Sequence, residues 1–200
     1  SAVEHPALLA LAGRLAAEGQ AEVEHLPVDS QGRLRLDVLQ QRLGDDLALV
    51  SVMGANNETG VCMPIAALAE LAHAHGAWLH VDGAMCGVAA LCPELRWVNE
   101  GLDLADSYTT NGHKWMGVGF DCSFFWVRDR TPLLEALSIL PEYLRTAQAE
   151  AGAVIDYRDW QVPLGRRFRS LKVWFVLRLD GAEQNTLRPG MSAKVTVSTR

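Results

Sequence analysis

The sequence predicts an α/β fold built on a mostly parallel β-sheet flanked by helices. Three observations carry that expectation. Short apolar runs such as residues 47–53 and 77–81 alternate with longer segments of helical spacing. Strands and helices of these lengths in alternation form crossover units, which place neighbouring strands parallel. Apolar residues make up 49% of the 200 positions, enough for one sizeable core.

Taken in order, residues 6–17 are rich in Leu and Ala at helical spacing, with Gly19 as the stop. Residues 22–28 suggest a short strand, 36–43 a helix, and 47–53 a strand. A helix over 64–75 runs to Gly76, and the strand 77–81 follows at once, closed by Asp82. Two further strands are expected at 106–109 and 122–127, and helices at 132–137 and 166–177. Near the end, Pro189-Gly190 marks a turn before an alternating strand. Residues 1–179 read as one large-domain fragment and 180–200 as an appended tail.

Composition narrows the function. The net charge of −6 is spread without a long run of one sign, which gives no electrostatic reason to expect nucleic acid. No stretch approaches the length of a membrane span. Cys62, Cys86, Cys92 and Cys122 form no C-x-x-C pair and no zinc-like grouping with histidine, so reduced and mostly buried thiols in a cytoplasmic protein are expected. His73 and His75 stand two apart on a predicted helix, point to different faces, and make a poor chelate. The start lacks an initiator methionine and a signal peptide and reads as internal to a longer frame.

In sheets of this class ligands bind outside the carboxyl ends of the strands. Asn57, Asp82, Asn111, His113 and Lys114 all fall there. A lysine can condense with an aldehyde, and a strand-end carboxylate can pair with a pyridine nitrogen. Together these are what pyridoxal 5'-phosphate chemistry needs. Alone, the lysine reads as a surface charge and the aspartate as the cap of a turn, and the neighbouring residues have to decide.

The neighbouring residues resemble two known families. Glu4-His5-Pro6-Ala7, Leu26-Pro27-Val28-Asp29 and Ser51-Val52-Met53 leading to Asn56-Asn57-Glu58-Thr59-Gly60-Val61 resemble cysteine desulfurases over about residues 1–82. His80-Val81-Asp82, Leu91-Cys92-Pro93-Glu94, Asn111-Gly112-His113-Lys114-Trp115, Phe120-Asp121-Cys122 and the run from Asp156 to Lys172 resemble aromatic-L-amino-acid decarboxylases over about 78–178. Both families share the fold-type-I scaffold. The resemblance therefore implies a mosaic fold-type-I large domain with its switch near 76–86. The segment from Leu187 to Val197 resembles a strand of periplasmic efflux adaptors; a turn at Pro189-Gly190 followed by an alternating strand is the preferred reading of it.

The resemblance implies roles. Lys114 would hold the cofactor aldehyde and Asp82 would pair with the protonated pyridine nitrogen. His5 would stack on one ring face, the alternative being a helix-entry histidine without a role, and Ala84 would pack on the other face. Asn57 would reach the ring hydroxyl, Asn111 the phosphate, and His113 would lie beside the lysine. Tyr143 matches a mobile-loop tyrosine that delivers a proton to the substrate carbon, or else anchors its loop. The implied activity is decarboxylation of an aromatic amino acid by a homodimer. Its rivals are an inactive chimeric or truncated scaffold and a cysteine desulfurase-like transferase.

The pattern departs from both families in places. Gly112 stands where decarboxylases carry proline, Gly83 where they carry alanine, and Met85 where desulfurases carry glutamine. No cysteine follows Lys114 on a long loop to accept sulfur, and the phosphate-binding loop of both families would precede Ser1. The basic residues Arg166, Arg167, Arg169 and Lys172 read as a salt-bridged structural face rather than an anion patch.

Overall fold

Pro6 fixes φ at the start of the first helix, and the His5 imidazole caps it by accepting the Ala7 N–H through Nδ1 at 3.2 Å. This helix, α1 (Pro6–Ala17), ends before Gly19, whose φ of 66° is the left-handed conformation that stops a helix cheaply. The computed structural model describes residues 1–138, 157–163, 165 and 167–177. Among the described residues the further α-helices are α2 (Leu36–Arg42), α3 (Ile65–Ala74), α4 (Thr131–Leu137) and α5 (Arg169–Leu177). The strands are β1 (Leu49–Met53), β2 (Trp78–Asp82), β3 (Ser107–Asn111) and β4 (Ser123–Val127).

The sheet order is β1-β2-β3-β4, with the first three strands parallel and β4 antiparallel to β3. This is the mostly parallel sheet the alternating pattern predicts. Side chains alternate across it. The paired residues Val50 and Leu79, Val52 and Val81, and Val81 and Tyr108 therefore share one face. Onto the core built there α3 turns Ile65, Leu68, Ala69 and Ala72, spaced as one helical stripe. Val52, Leu68 and Leu79 are fully buried. Each such side chain contributes about 1.5–3 kcal/mol relative to exposure.

Asp106 ties the layers together at the amino end of β3. Its Oδ2 accepts the Leu79 N–H at 2.8 Å and meets His73 Nε2 of α3 at 2.8 Å, while Arg128 lies 3.7 Å from Oδ1. Beyond the other end of β3, Arg169 and Lys172 latch α5 to the loop before β4. Arg169 Nη2 donates to Asp121 Oδ2 at 2.8 Å, Arg167 lies 3.5 Å from Oδ1, and Lys172 donates to the Gly119 carbonyl at 2.7 Å. The Arg169 hydrogen bonds hold the Asp121 carboxyl down to about 2. Arg167, Arg169 and Lys172 thus form the structural face expected of them; Arg166 lies outside the described residues.

Some expectations need correction. Residues 22–28 form no strand, because no neighbouring strand takes up their backbone groups. Only Val28 makes a bridge, to Leu34, around a turn in which Asp29 Oδ1 accepts the Gln31 and Arg33 N–H groups. Three 3-10 helices, Gly87–Leu91, Pro93–Asn99 and Leu102–Leu104, fill the β2–β3 crossover; their three-residue turns leave no 3.6-residue period to read. Asp82 is the last residue of β2 rather than the first beyond it. The cysteines are free thiols, but only Cys122 is buried and Cys62 is exposed. The expected strand near Pro189 falls outside the described residues. Among the described residues, no helix is long and apolar enough to cross a membrane.

Candidate active site

The register of the sheet brings three loops to one level. Met53 stands opposite Asp82, and Asp82 opposite Thr109. The Gly54 N–H donates to the Asp82 carbonyl at 2.7 Å and the Gly83 N–H to the Thr109 carbonyl at 2.8 Å, so the ladder continues past the strand ends. Asn57 leaves from the end of β1, Asp82 and Ala84 from β2, and Asn111, His113 and Lys114 from β3. These sequence-predicted residues therefore lie at the carboxyl edge of three adjacent strands.

Asp82 is half-buried, and its Oδ1 accepts the Ala84 N–H at 2.8 Å. That bond fixes the carboxylate and the Ala84 backbone together. Oδ2 has no hydrogen-bond partner among the described residues, which leaves one anionic acceptor for a cationic N–H. Two residues back on the same strand face, His80 Nδ1 meets Ser107 Oγ at 2.8 Å, and Trp78 Nε1–H donates to the same oxygen at 2.8 Å. Burial holds the His80 imidazole below the ordinary histidine range, against the raising pull of Asp82 and Glu4.

Lys114 sits in the turn that follows β3. The turn is closed by Lys114 N–H to Asn111 O at 3.3 Å, Gly117 N–H to Lys114 O at 3.2 Å, and Val118 N–H to Gly112 O at 3.0 Å. Gly117, with φ 74°, permits the reversal. His113 anchors the turn to the start of β4: its N–H donates to the Cys122 carbonyl at 3.2 Å, and its Nδ1 lies 2.9 Å from the Cys122 nitrogen and 2.7 Å from that carbonyl oxygen. Nδ1 either accepts from the one or donates to the other, according to tautomer. The Phe120 ring packs edge-on against the imidazole with centroids 4.9 Å apart. The half-buried Lys114 amine has no hydrogen bond or ion pair with a described residue.

The remaining expected residues are placed less completely. Asn57 donates through Nδ2 to Glu58 Oε1 at 3.2 Å. His5 is exposed, and its Nδ1 is occupied as the cap of α1. The segment before it is held at the end of β1, where Glu4 Oε1 accepts the Met53 N–H at 3.1 Å. Tyr143 lies outside the described residues.

Two departures from the decarboxylase pattern have steric partners. A Cβ on Gly112 would sit 2.9 Å from Phe124 Cε2 and 3.3 Å from Cys122 Sγ, so a bulkier residue needs Phe124 to move. A Cβ on Gly83 would meet Tyr108 Cε2 and Oη at 2.6 Å, and one on Gly87 would overlap Tyr108 Oη. Tyr108 thus fills the space that both glycines leave open. Its buried hydroxyl makes no hydrogen bond with a described residue; Thr110 Oγ1 donates instead to the Gly83 carbonyl at 2.8 Å and Asn99 to the Gly87 carbonyl at 3.3 Å. Burial raises the phenol above its ordinary range. Gly87→Ala is expected to destabilise the fold by about 1–3 kcal/mol through overpacking. Tyr108→Phe in that background should recover most of the loss, read as a non-additive pair in thermal unfolding.

A cavity of about 850 Å³ opens beside Gly87, Tyr108, Thr110, Phe124, Trp126 and Val173. Tyr108 and Thr110 alternate with Thr109 and Asn111 along β3, so this cavity lies on the sheet face opposite Asp82. None of the expected site residues that are described lines it.

Sequence reasoning assigned no role to Glu4, Asn56, His80 or Tyr108, although the first three stand inside the quoted motifs. His80 carried a further signal, since it is two residues before Asp82 on a strand and shares its face.

Residues 11–196 match the pyridoxal-dependent decarboxylase conserved domain. The chain is 46% identical over 157 residues to phenylacetaldehyde synthase of Arabidopsis thaliana, covering 75% of this chain and 32% of that protein. It is 45% identical over 168 residues to histidine decarboxylase of Mus musculus, covering 81% and 25%. It is 40% identical over 175 residues to aromatic-L-amino-acid decarboxylase of Rattus norvegicus, covering 82% and 36%. The chain thus spans about a quarter to a third of these relatives. The crystal structure of Oryza sativa TDC with PLP and tryptamine superposes with a TM-score of 0.78 at 30% identity, over 88% of this chain and 37% of that one. Mouse CSAD does so at 0.74 and 26% identity, over 90% and 38%.

Proposed function

Because this chain belongs to the pyridoxal-dependent decarboxylase family, we propose that it carries the lysine-bearing part of a site that removes the carboxyl group of an aromatic amino acid. One observation supports this reading best. The shared register of β1, β2 and β3 sets Asp82 and the Asn111-to-Lys114 turn at one edge, with one Asp82 oxygen and the Lys114 amine both unengaged by described residues. That donor set suits an aldehyde at one end and a protonated pyridine nitrogen at the other.

Pyridoxal phosphate, when bound, supplies an aldehyde that takes up amines and a ring that draws electron density from the bond to the leaving carboxyl group. Lys114 would hold it through the amine, and Asp82 would keep the ring nitrogen protonated by a charge-assisted hydrogen bond. Ala84 and His5 would flank the ring, Asn57 would donate to its phenolic oxygen, and Asn111 would meet the phosphate. His113 would hold the lysine turn in place through Cys122. Tyr143 would carry a proton to the substrate carbon, a role for which a phenol shielded from water is suited. The substrate class follows from the relatives, several of which are named for aromatic or imidazole side chains.

A homodimer in the cytoplasm, without nucleic acid, is the proposed working form. The desulfurase-like motifs of the first half contribute the Asn57 loop in this reading rather than a second activity; the family match runs without a break across 76–86 and through most of the tail.

Supplied with pyridoxal phosphate, the protein is expected to release carbon dioxide and amine in equal amounts from at least one of tryptophan, tyrosine, phenylalanine or histidine. Alanine and sulfide from cysteine, without carbon dioxide from any of the four, would replace this reading with the transferase. Cofactor binding with no turnover of any of these would leave the inactive scaffold.

A further inference from the structure

The side chain next to Asn57 does more than Asn57 itself. Asn56 is 8% exposed and has both ends of its amide engaged. Its Oδ1 accepts the Glu58 N–H at 3.0 Å, the Thr59 N–H at 2.9 Å and the Thr59 hydroxyl at 3.1 Å. This is an Asx turn that sets the path of the chain on either side of Asn57. The Asn56 backbone closes the same loop, donating to the Val61 carbonyl at 2.9 Å and accepting the Gly60 N–H at 2.8 Å. Its Nδ2 points the other way and donates to the Val3 carbonyl at 3.1 Å, across 53 positions of sequence.

Val3 belongs to the segment that delivers His5, and one buried amide therefore joins the two. Glu4, through the Met53 N–H, is the second anchor of that segment on β1. We propose that Asn56 is a positioning residue of this site. It ties the Val3-to-His5 segment to the Asn57 loop, so that His5 and Asn57 meet one bound molecule in a fixed relation. The inference rests on the cofactor-site reading above, because it gives the tie its purpose. The two ends of the amide act separately, with Oδ1 shaping the loop and Nδ2 making the link.

Asn56→Asp separates these two roles. The carboxylate keeps an acceptor for Glu58 and Thr59 but sets an oxygen against the Val3 carbonyl where a donor was. Asn56→Ser breaks the same link without adding charge, since a shorter hydroxyl can still shape the turn. Amide hydrogen exchange without cofactor is expected to quicken about 10-fold or more at Val3 to His5 in both variants, while residues 57 to 61 keep their protection. The dissociation constant for pyridoxal phosphate should rise about 5- to 10-fold, as expected for one buried hydrogen bond lost. In a His5→Ala background the same change should raise it less than about twofold, because the residue it positions is gone.

Exchange and affinity both within twofold of wild type would overturn the proposal, as would faster exchange with unchanged affinity. A wild type that takes up no pyridoxal phosphate would overturn the proposed function, and with it the cofactor role of Asn56. A wild type that binds while both variants bind equally well would overturn only this inference.

Discussion

Lys114→Ala is expected to abolish release of carbon dioxide from every amino acid tested with pyridoxal phosphate present. The reason is chemical. Of the two lysines among the described residues, Lys172 is engaged by the Gly119 carbonyl, and Lys114 is the one that no described residue engages. An amine that condenses with an aldehyde cannot be replaced by a methyl group, and covalent capture splits one difficult step into easier ones. Loss should exceed about 1,000-fold, well into the roughly 10²–10⁴ range of a single proton-transfer group. The fold should survive, because the turn is held by backbone bonds and by His113 on Cys122 rather than by the lysine side chain. An unchanged unfolding midpoint with lost turnover is the expected pairing, and residual turnover above about one part in a hundred would count against the assigned role.

Asp82→Asn should have the next largest effect. An amide is nearly isosteric, so the bond from the Ala84 N–H can persist to its oxygen. The charge is what disappears. A charge-assisted hydrogen bond is worth roughly 1.5–3 kcal/mol, which corresponds to about 10- to 150-fold in cofactor affinity. The rate should fall further, because an unpaired ring nitrogen loses its proton and with it the capacity to draw electrons. Titration with pyridoxal phosphate measures the first loss and turnover at saturating cofactor the second. Equal affinity and equal turnover in Asp82→Asn would remove Asp82 from the site.

Much of this was legible in the sequence because it depends on local pattern. Alternating apolar runs and helical stripes located β1 to β4 and the helices to within a few residues, and strand-end loops placed Asn57, Asp82, Asn111 and Lys114 at one edge. What failed depends on neighbours distant in sequence. Residues 22–28 look like a strand, but a strand is defined by its partner, and only Val28 is offered one, in a single bridge to Leu34. Gly83 and Gly112 read only as departures from a family pattern until the rings of Tyr108 and Phe124 are seen to occupy their missing side-chain volume. Asn56 stands in the sequence only as part of a quoted motif; its bond to Val3 becomes visible only when the segment before α1 and the loop after β1 are brought together.

The central claim is that Lys114 is the residue that holds pyridoxal phosphate. Borohydride reduction of the protein with pyridoxal phosphate, followed by peptide mapping, tests it directly. The account predicts one stable adduct, on the peptide containing Asn111 to Trp115, carried by Lys114 and absent from Lys114→Ala. An adduct on Lys172 or Lys194 in place of Lys114, or none at all, would contradict it.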